Sequence, residues 1–325
     1  MKNKGFISVC FAMCAMLCFG GCNASNNGTV TSVVSENTLP SENQSPTSSL
    51  SSPASSETIQ SSNSDDETNN SEVSATVGPY TIKDIYNVRG ISNKKTAHSF
   101  GVAKDGKPHS ISVNYQKYFD SNPQYKGLVL DNKSNDKCMY LTFDCGYEYQ
   151  GLTGEILDVL KEKNVKAAFF CTLSYIKNNP EFIERMINEG HIVANHSDKH
   201  PDFTKISRER MANEIYNVEK YLKDNYNYTA KYFRFPEGSY SPNALDLVSS
   251  MGYRSVFWSI AHADYDTDNQ PTVDKTIQTV TSRYHSGAVI LLHAISKSNT
   301  EALATLIDEA QNDGYTFKSL DEYNW

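Results

Sequence analysis

Downstream of Cys138 the chain alternates short apolar runs with amphipathic stretches. The runs fall at 139–143, 167–171, 192–194, 232–235, 255–260 and 288–292, each of strand length. Between them, 153–163 sets Ile156, Val159 and Leu160 on one helical face, and 207–223 does the same with Met211, Ile215, Val218 and Leu222. Core packing suffices to explain both stripes. Strand and helix alternating this often predict an α/β fold with a largely parallel sheet, and the length allows it to close into a barrel. In such barrels the chemistry sits at the C-terminal ends of the strands.

Upstream the pattern weakens. Residues 77–136 are rich in Asn, Lys, Gly and Tyr, and short apolar pieces such as 111–113 and 128–130 predict an irregular N-terminal extension with a few short strands. Across 22–76, Ser, Asn, Thr and acidic residues dominate without one aromatic side chain, so burial cannot offset the entropy of ordering. That stretch reads as a disordered tether. At the start, Lys2 and Lys4 precede an apolar run over 5–19, closed by Gly20, Gly21 and Cys22, the pattern of a secretory signal over 1–21. The run is short for a membrane span. A Cys after two glycines resembles the lipobox of bacterial lipoproteins, in which Cys22 would carry lipid and hold the chain at the membrane; simple cleavage or a retained anchor are the alternatives. The expectation is an exported, surface-tethered protein whose folded catalytic part spans 137–325.

Composition narrows the partners. Thirty Lys and Arg against 38 Asp and Glu leave a net charge of −8, with a pI near 5.5, which disfavours nucleic acid as a partner. The mean hydropathy of −0.53 is low because the tether dilutes an ordinary core. Of seven cysteines, Cys10, Cys14, Cys18 and Cys22 belong to the leader, leaving Cys138, Cys145 and Cys171. An odd number argues against a disulfide framework and admits one bridge at most.

Several runs end in residues able to do chemistry. The first leads into Asp144 and Cys145, the third into His196 and His200, the fourth contains Arg234 and precedes Glu237, the fifth is followed by His262 and Asp264, and the sixth ends at His293. His196 and His200 are four apart, so on one helical turn both imidazoles could face a divalent ion. Such an ion would polarise a carbonyl and lower the pKa of bound water. Asp144 could then accept a proton, and His293 could protonate a leaving group. Arg234 could keep Asp144 ionised, and Asp264 could orient His293 and raise its pKa. Surface histidines, a core His293 and structural ion pairs are the plainer explanations for the same residues.

Five spaced motifs, Thr142-Phe143-Asp144, His196 to His200 followed by Pro201, Arg234 to Pro236, Asp264-Tyr265 and Leu292-His293, together resemble the polysaccharide deacetylase family, carbohydrate esterase family 4, also called the NodB homology domain. The resemblance covers roughly 137–325 and implies a distorted (β/α) barrel that removes acetyl groups from a glycan with a divalent metal, zinc first, with cobalt or manganese as substitutes. Within the family, residues 146–148, 190–201 and 315–323 look most like enzymes that deacetylate muramic acid in peptidoglycan on the delta-lactam route. The resemblance implies Asp144 as base, His293 as acid, His196 and His200 as metal ligands, Arg234 positioning the base and Asp264 near the acid. It also implies an oxyanion donor among the backbone N–H groups of 237–240, and it suggests that Phe235 and Glu237, which depart from the family's commoner residues, shape the sugar groove. Tyr265 stands where the family often has Trp.

Cys145 departs most, because the family usually has there a second Asp as third metal ligand. Three readings stay open: Cys145 as a thiolate ligand, for which zinc has affinity; two histidines sufficing with Asp144 or waters; or a site that no longer catalyses. The sequence therefore points to a metal-dependent N-deacetylase of a cell-wall glycan. A wall-binding lipoprotein without turnover and an O-acetyl xylan esterase are the rivals.

Overall fold

The computed structural model describes residues 73–325. The expected signal, Cys22 and nearly all of the tether lie outside the described residues. In chain order the strands are β1 Ala75–Val77, β2 Tyr80–Ile82, β3 Thr96–Ala97, β4 Gly127–Leu128, β5 Cys138–Cys145, β6 Ala167–Cys171, β7 Ile192–Asn195, β8 Tyr232–Phe233, β9 Ser239–Tyr240, β10 Arg254–Val256, β11 Ala288–His293 and β12 Thr316–Phe317. The helices are α1 Ser110–Ser121, α2 Leu152–Glu162, α3 Leu173–Asn178, α4 Pro180–Asn188, α5 Arg208–Tyr226, α6 Pro242–Ser250, α7 Val273–Thr281 and α8 Lys297–Asn312.

The main sheet runs β11-β5-β6-β7-β8-β10-β4, with β12 added beside the start of β5, and every pairing in it is parallel. β5 is buried along its whole length, as a strand covered on both faces must be, which is why all its residues but Thr142 and Asp144 are apolar. The outer strands approach each other: Leu130, just past β4, bridges to Ala288 of β11, Ile260 bridges to Ile290, and the Asp131 N–H donates to the Gly287 carbonyl at 2.8 Å. The sheet thus curls into a distorted barrel, as expected.

Helices cover its outside. In α5, Ser207 caps the first turn by accepting from the Arg210 N–H, and Met211, Ile215, Val218 and Leu222 are fully buried. Each such side chain contributes about 1.5–3 kcal/mol. The α2 stripe also packs inward through Ile156 and Leu160, with Val159 half-buried.

Three expectations change. Residues 111–113 form no strand but the start of α1, whose buried face is Ser112, Gln116 and Phe119. Two of those three are polar, so the helical period was invisible to a hydrophobic pattern. One of the extension's short strands, β4, pairs with β10 as an edge of the main sheet. Residues 75–76, assigned to the tether, belong to a strand, since Ala75–Val77 pairs with Tyr80–Ile82. Finally, β8 and β10 are shorter than their apolar runs, because the chain past each leaves the ladder to build the rim of the barrel.

Candidate active site

Asp144 lies at the C-terminal end of β5 in register with His293 of β11, so parallel pairing alone sets the two side by side. His196 follows the end of β7 and Arg234 the end of β8. All converge on one rim, where a parallel barrel leaves side chains free to point outward from the strand ends. There Asp144, His196 and His293 line, with His200, a cavity of about 950 Å³, and Arg234 lies buried behind Asp144.

Arg234 organises the base. It is fully buried, and its Nη1 donates to Asp144 Oδ1 at 2.6 Å, Nη2 to Thr142 Oγ1 at 2.9 Å and Nε to the Val256 carbonyl at 3.0 Å. The guanidinium also lies 4.0 Å from the centre of the Phe170 ring. Burial pushes the Asp144 carboxyl up, but Arg234 foremost, with His196 and His293, outweighs it and holds Asp144 below its usual range. Asp144 is therefore ionised at neutral pH and half committed: one oxygen faces Arg234, and the other lies 3.6 Å from His196 Nε2.

The acid side is built the opposite way. His293 Nδ1 lies 2.7 Å from Asp264 Oδ1, and its backbone N–H donates to Oδ2 at 2.9 Å. Burial lowers the His293 pKa, but the Asp264 carboxylate outweighs it and raises the ring above its ordinary value. Asp264 is held in turn by the Asn299 side-chain amide, whose Oδ1 lies 2.8 Å from His262 Nε2. Asn299 was missed in the sequence because nothing distinguishes an Asn in the first turn of an amphipathic helix. Tyr265 stands exposed beside the His293 ring, 6.0 Å between centroids.

His196 and His200 do not share a helix. They sit on a loop after β7 in which Ser197 and His200 both take positive φ, 69° and 54°. Ser197 Oγ accepts from the His200 N–H at 2.9 Å, and the tight loop folds the two rings together with Nε2 atoms 3.2 Å apart. His196 Nδ1 is 2.9 Å from the Arg234 carbonyl. A carbonyl only accepts, so the proton is on Nδ1 and Nε2 turns its lone pair toward His200. Burial pushes His196 down to about 4 and also lowers His200. Two neutral imidazoles with converging nitrogens suit zinc or another late first-row ion.

Cys145 is not with them. It is fully buried, does not line the cavity, and lies beside Cys171, its partner across the β5–β6 ladder. Burial, then Cys171, pushes its thiol well above the usual range. The expectation of Cys145 as a metal ligand is corrected on that ground: alternate residues of a strand face opposite ways, and Asp144 takes the face toward the cavity. Among the described residues no cluster of three or more His, Cys, Asp and Glu is arranged to hold a metal. The protein's own donors are two imidazoles, with Asp144 beside them.

Two further expectations shift. Phe235 packs among Phe203, Phe233, Tyr240 and Phe257 in the core, so only Glu237 of that pair reaches the groove. The Gly238 N–H already donates to the Phe235 carbonyl at 2.9 Å and is not available to an oxyanion.

Comparison with known proteins agrees with this geometry. A family model described as polysaccharide deacetylase matches residues 131–256. The peptidoglycan-N-acetylmuramic acid deacetylase PdaA of Bacillus subtilis is 39% identical over 203 residues, covering 61% of this chain and 75% of that protein. An uncharacterised 30.6 kDa protein of Geobacillus stearothermophilus is 43% identical over 200 residues, with the same coverage, 61% and 75%. The solved structure of Bacillus subtilis PdaA, a family 4 carbohydrate esterase, superposes with a TM-score of 0.67 at 34% identity, covering 72% of this chain and 98% of the other. With a quarter or less of each of these proteins left uncovered, and with the five motifs meeting on one rim, the chain belongs to the polysaccharide deacetylase family.

Proposed function

We propose that this protein is a metal-dependent hydrolase that removes N-acetyl groups from amino sugars of a cell-wall polysaccharide, with muramic acid in peptidoglycan as its substrate. The single observation that carries the reading is the pairing of Asp144 and His293, neighbours across two strands whose surroundings tune them apart, the carboxyl held below its ordinary pKa and the imidazole above its own. That is the arrangement a base and an acid need to work in sequence at one pH.

Asp144 accepts the proton of the attacking water, and Arg234 keeps the carboxylate ionised and aimed. His293 delivers a proton to the departing amine, so that the sugar nitrogen leaves as a neutral or protonated amine rather than an amide anion. Asp264 and Asn299 hold the imidazole in the orientation that presents Nε2 to the cavity. His196 and His200 would hold the divalent ion, zinc first, with cobalt or manganese as substitutes. The ion would supply Lewis acidity toward the acetyl carbonyl.

The leader sequence and Cys22 support export and lipid anchoring to the membrane, which would bring the cleft to the wall. One observation favours a second reading, a wall-binding protein without turnover: the described residues offer no third protein ligand. Acetate release from peptidoglycan by the folded protein, after chelation and after return of zinc, cobalt or manganese, separates the two. Metal-restored release that disappears in His196→Ala supports the deacetylase; glycan binding without release under any metal supports the second reading. Product analysis excludes the ester reading if a free amine appears.

A further inference from the structure

Seven arginines lie among the described residues. Arg89, Arg185, Arg208, Arg210 and Arg234 each meet a carboxylate, and Arg254 lies over the rings of Tyr232 and Trp325. Arg283 does neither. It is half-buried and lines the same cavity as Asp144, His200 and His293. Its Nη1 donates to the Ala261 carbonyl, which leaves the other donors of the planar fork uncommitted to any protein acceptor named in the structure. Burial alone shifts its pKa, downward, with no neighbouring carboxylate opposing it.

A partly desolvated cation without a counter-ion is costly, and such a group in a cleft is retained where something else supplies the charge. Phe100, Val102, Trp258, Leu291 and Ile295 add apolar surface to the same cavity, which Glu237 also lines without forming an ion pair with Arg283. Phe100 and Val102 are fixed there by the extension, through the Ser112 hydroxyl donating to the Phe100 carbonyl at 2.6 Å and the His98 N–H donating to the Gly238 carbonyl at 3.0 Å. Gly101 between them has φ +68° and passes so close to His109 that a Cβ would lie 2.1 Å from the ring. Among the described residues, the cleft thus combines apolar surface held in place by the extension with a cation that meets no carboxylate.

We infer that Arg283 is a specificity-determining residue that binds a carboxylate carried by the glycan substrate, and that the carboxylate is the lactyl group on C3 of N-acetylmuramic acid, next to the C2 acetamide. This rests on the deacetylase reading for the choice of sugar. A guanidinium pairs a carboxylate in bidentate fashion, and the same cavity offers apolar surface to the lactyl methyl. N-acetylglucosamine carries only a hydroxyl at that carbon and would leave the cation unpaired, the kind of loss by which a polar site rejects an analogue.

The test uses the purified, folded protein and four ligands: a disaccharide of N-acetylglucosamine and N-acetylmuramic acid with a free lactyl carboxylate, its methyl ester, the neutral N-acetylglucosamine disaccharide, and a muropeptide whose lactyl carboxyl is an amide and whose carboxylates lie on the peptide. Calorimetric binding and acetate release are read separately. The wild type is expected to bind the free acid at least about tenfold more tightly than the ester or the neutral sugar, a preference that shrinks as salt rises. Arg283→Met is expected to bring the acid down to the ester's affinity, and Arg283→Lys to keep part of the preference. Equal wild-type affinity for acid and ester overturns the inference without any variant. So does an Arg283→Met loss that is the same for all four ligands, which would make Arg283 a clamp on Ala261, or a loss confined to the muropeptide, which would move the carboxylate to the peptide. Preference in binding without acetate release would sink the deacetylase reading and leave this one standing; release without preference would do the reverse.

Discussion

Arg234 carries more of the site than any other single residue. It is a buried cation whose one counter-charge is Asp144, so the ion pair that activates the base also compensates the charge in the core. Replacing Asp144 by Asn is expected to cut turnover by about 10²–10⁴-fold, the usual weight of a general base. It also leaves the guanidinium uncompensated, at a cost of about 3–5 kcal/mol of stability. Acetate release and a denaturant melt on the same sample check both halves; loss of activity at unchanged stability would show that the pair does not anchor the core. Asp264→Asn acts at the other end. It removes the charge that raises His293, so the imidazolium is lost at lower pH. The alkaline limb of the kcat/KM profile is expected to move toward acid while the acid limb, set by Asp144, stays. An alkaline limb that does not move would remove His293 from the role of acid.

Helix α1 shows how an element can escape a hydrophobic pattern and still hold the fold. Gln116 is buried, and its Oε1 accepts from the N–H groups of Val129 at 2.7 Å and Leu130 at 3.2 Å, where the chain leaves β4. The polar residue stands in for a missing neighbour strand. Gln116→Leu is expected to cost about 1–3 kcal/mol for the unsatisfied N–H groups. In a protein of this size that lowers Tm by roughly 2–4 °C per kcal/mol. A Tm unchanged in a scanning calorimeter would mean that the two N–H groups find other acceptors. Strand β5 is the opposite case. Its continuous run of buried residues was legible because a parallel strand covered on both faces admits little else. The loop bearing His196 and His200 lies between these extremes: the residue types were legible, but their left-handed backbone was not, because no glycine marks it.

At the scale of the whole molecule, buried histidines set the pH range of stability. His98 and His191 are pushed down to about 4, mainly by burial, and His191 Nδ1 accepts the Ala167 N–H, so both are neutral in the folded protein. Their folded pKa lies below the unfolded value, so their contribution is complete above about pH 6.5 and is lost as pH falls toward the folded value. His293 has the opposite sign: its folded pKa is raised, and its contribution is complete below about pH 6.5 and fades as pH rises through the folded value. Stability is therefore expected to peak near neutral pH and to fall toward pH 4 with a slope approaching about 1.4 kcal/mol per pH unit for each buried histidine. Urea melts of the metal-free protein across pH 4 to 9 check this. A flat profile from 6.5 to 4 would mean that these two rings charge without unfolding.

The sequence by itself determined the alternation of strands and helices, the family and the residue types on the rim. These are local or periodic properties, written in the spacing of apolar positions and in the motif at each strand end. Only the tertiary structure decided that Cys145 faces the core, that Phe235 is packing, that Asn299 holds Asp264, that residues 110–121 are helical and that Arg283 enters the cavity without a counter-ion. Each of these depends on which side of a strand or helix a residue occupies and on what the fold sets opposite it. That partner lies 35 residues away for Asn299 and Asp264, and 90 for Arg234 and Asp144. Parallel pairing brings such residues together through the sheet rather than through the chain, so no reading of neighbours in sequence contains the contact.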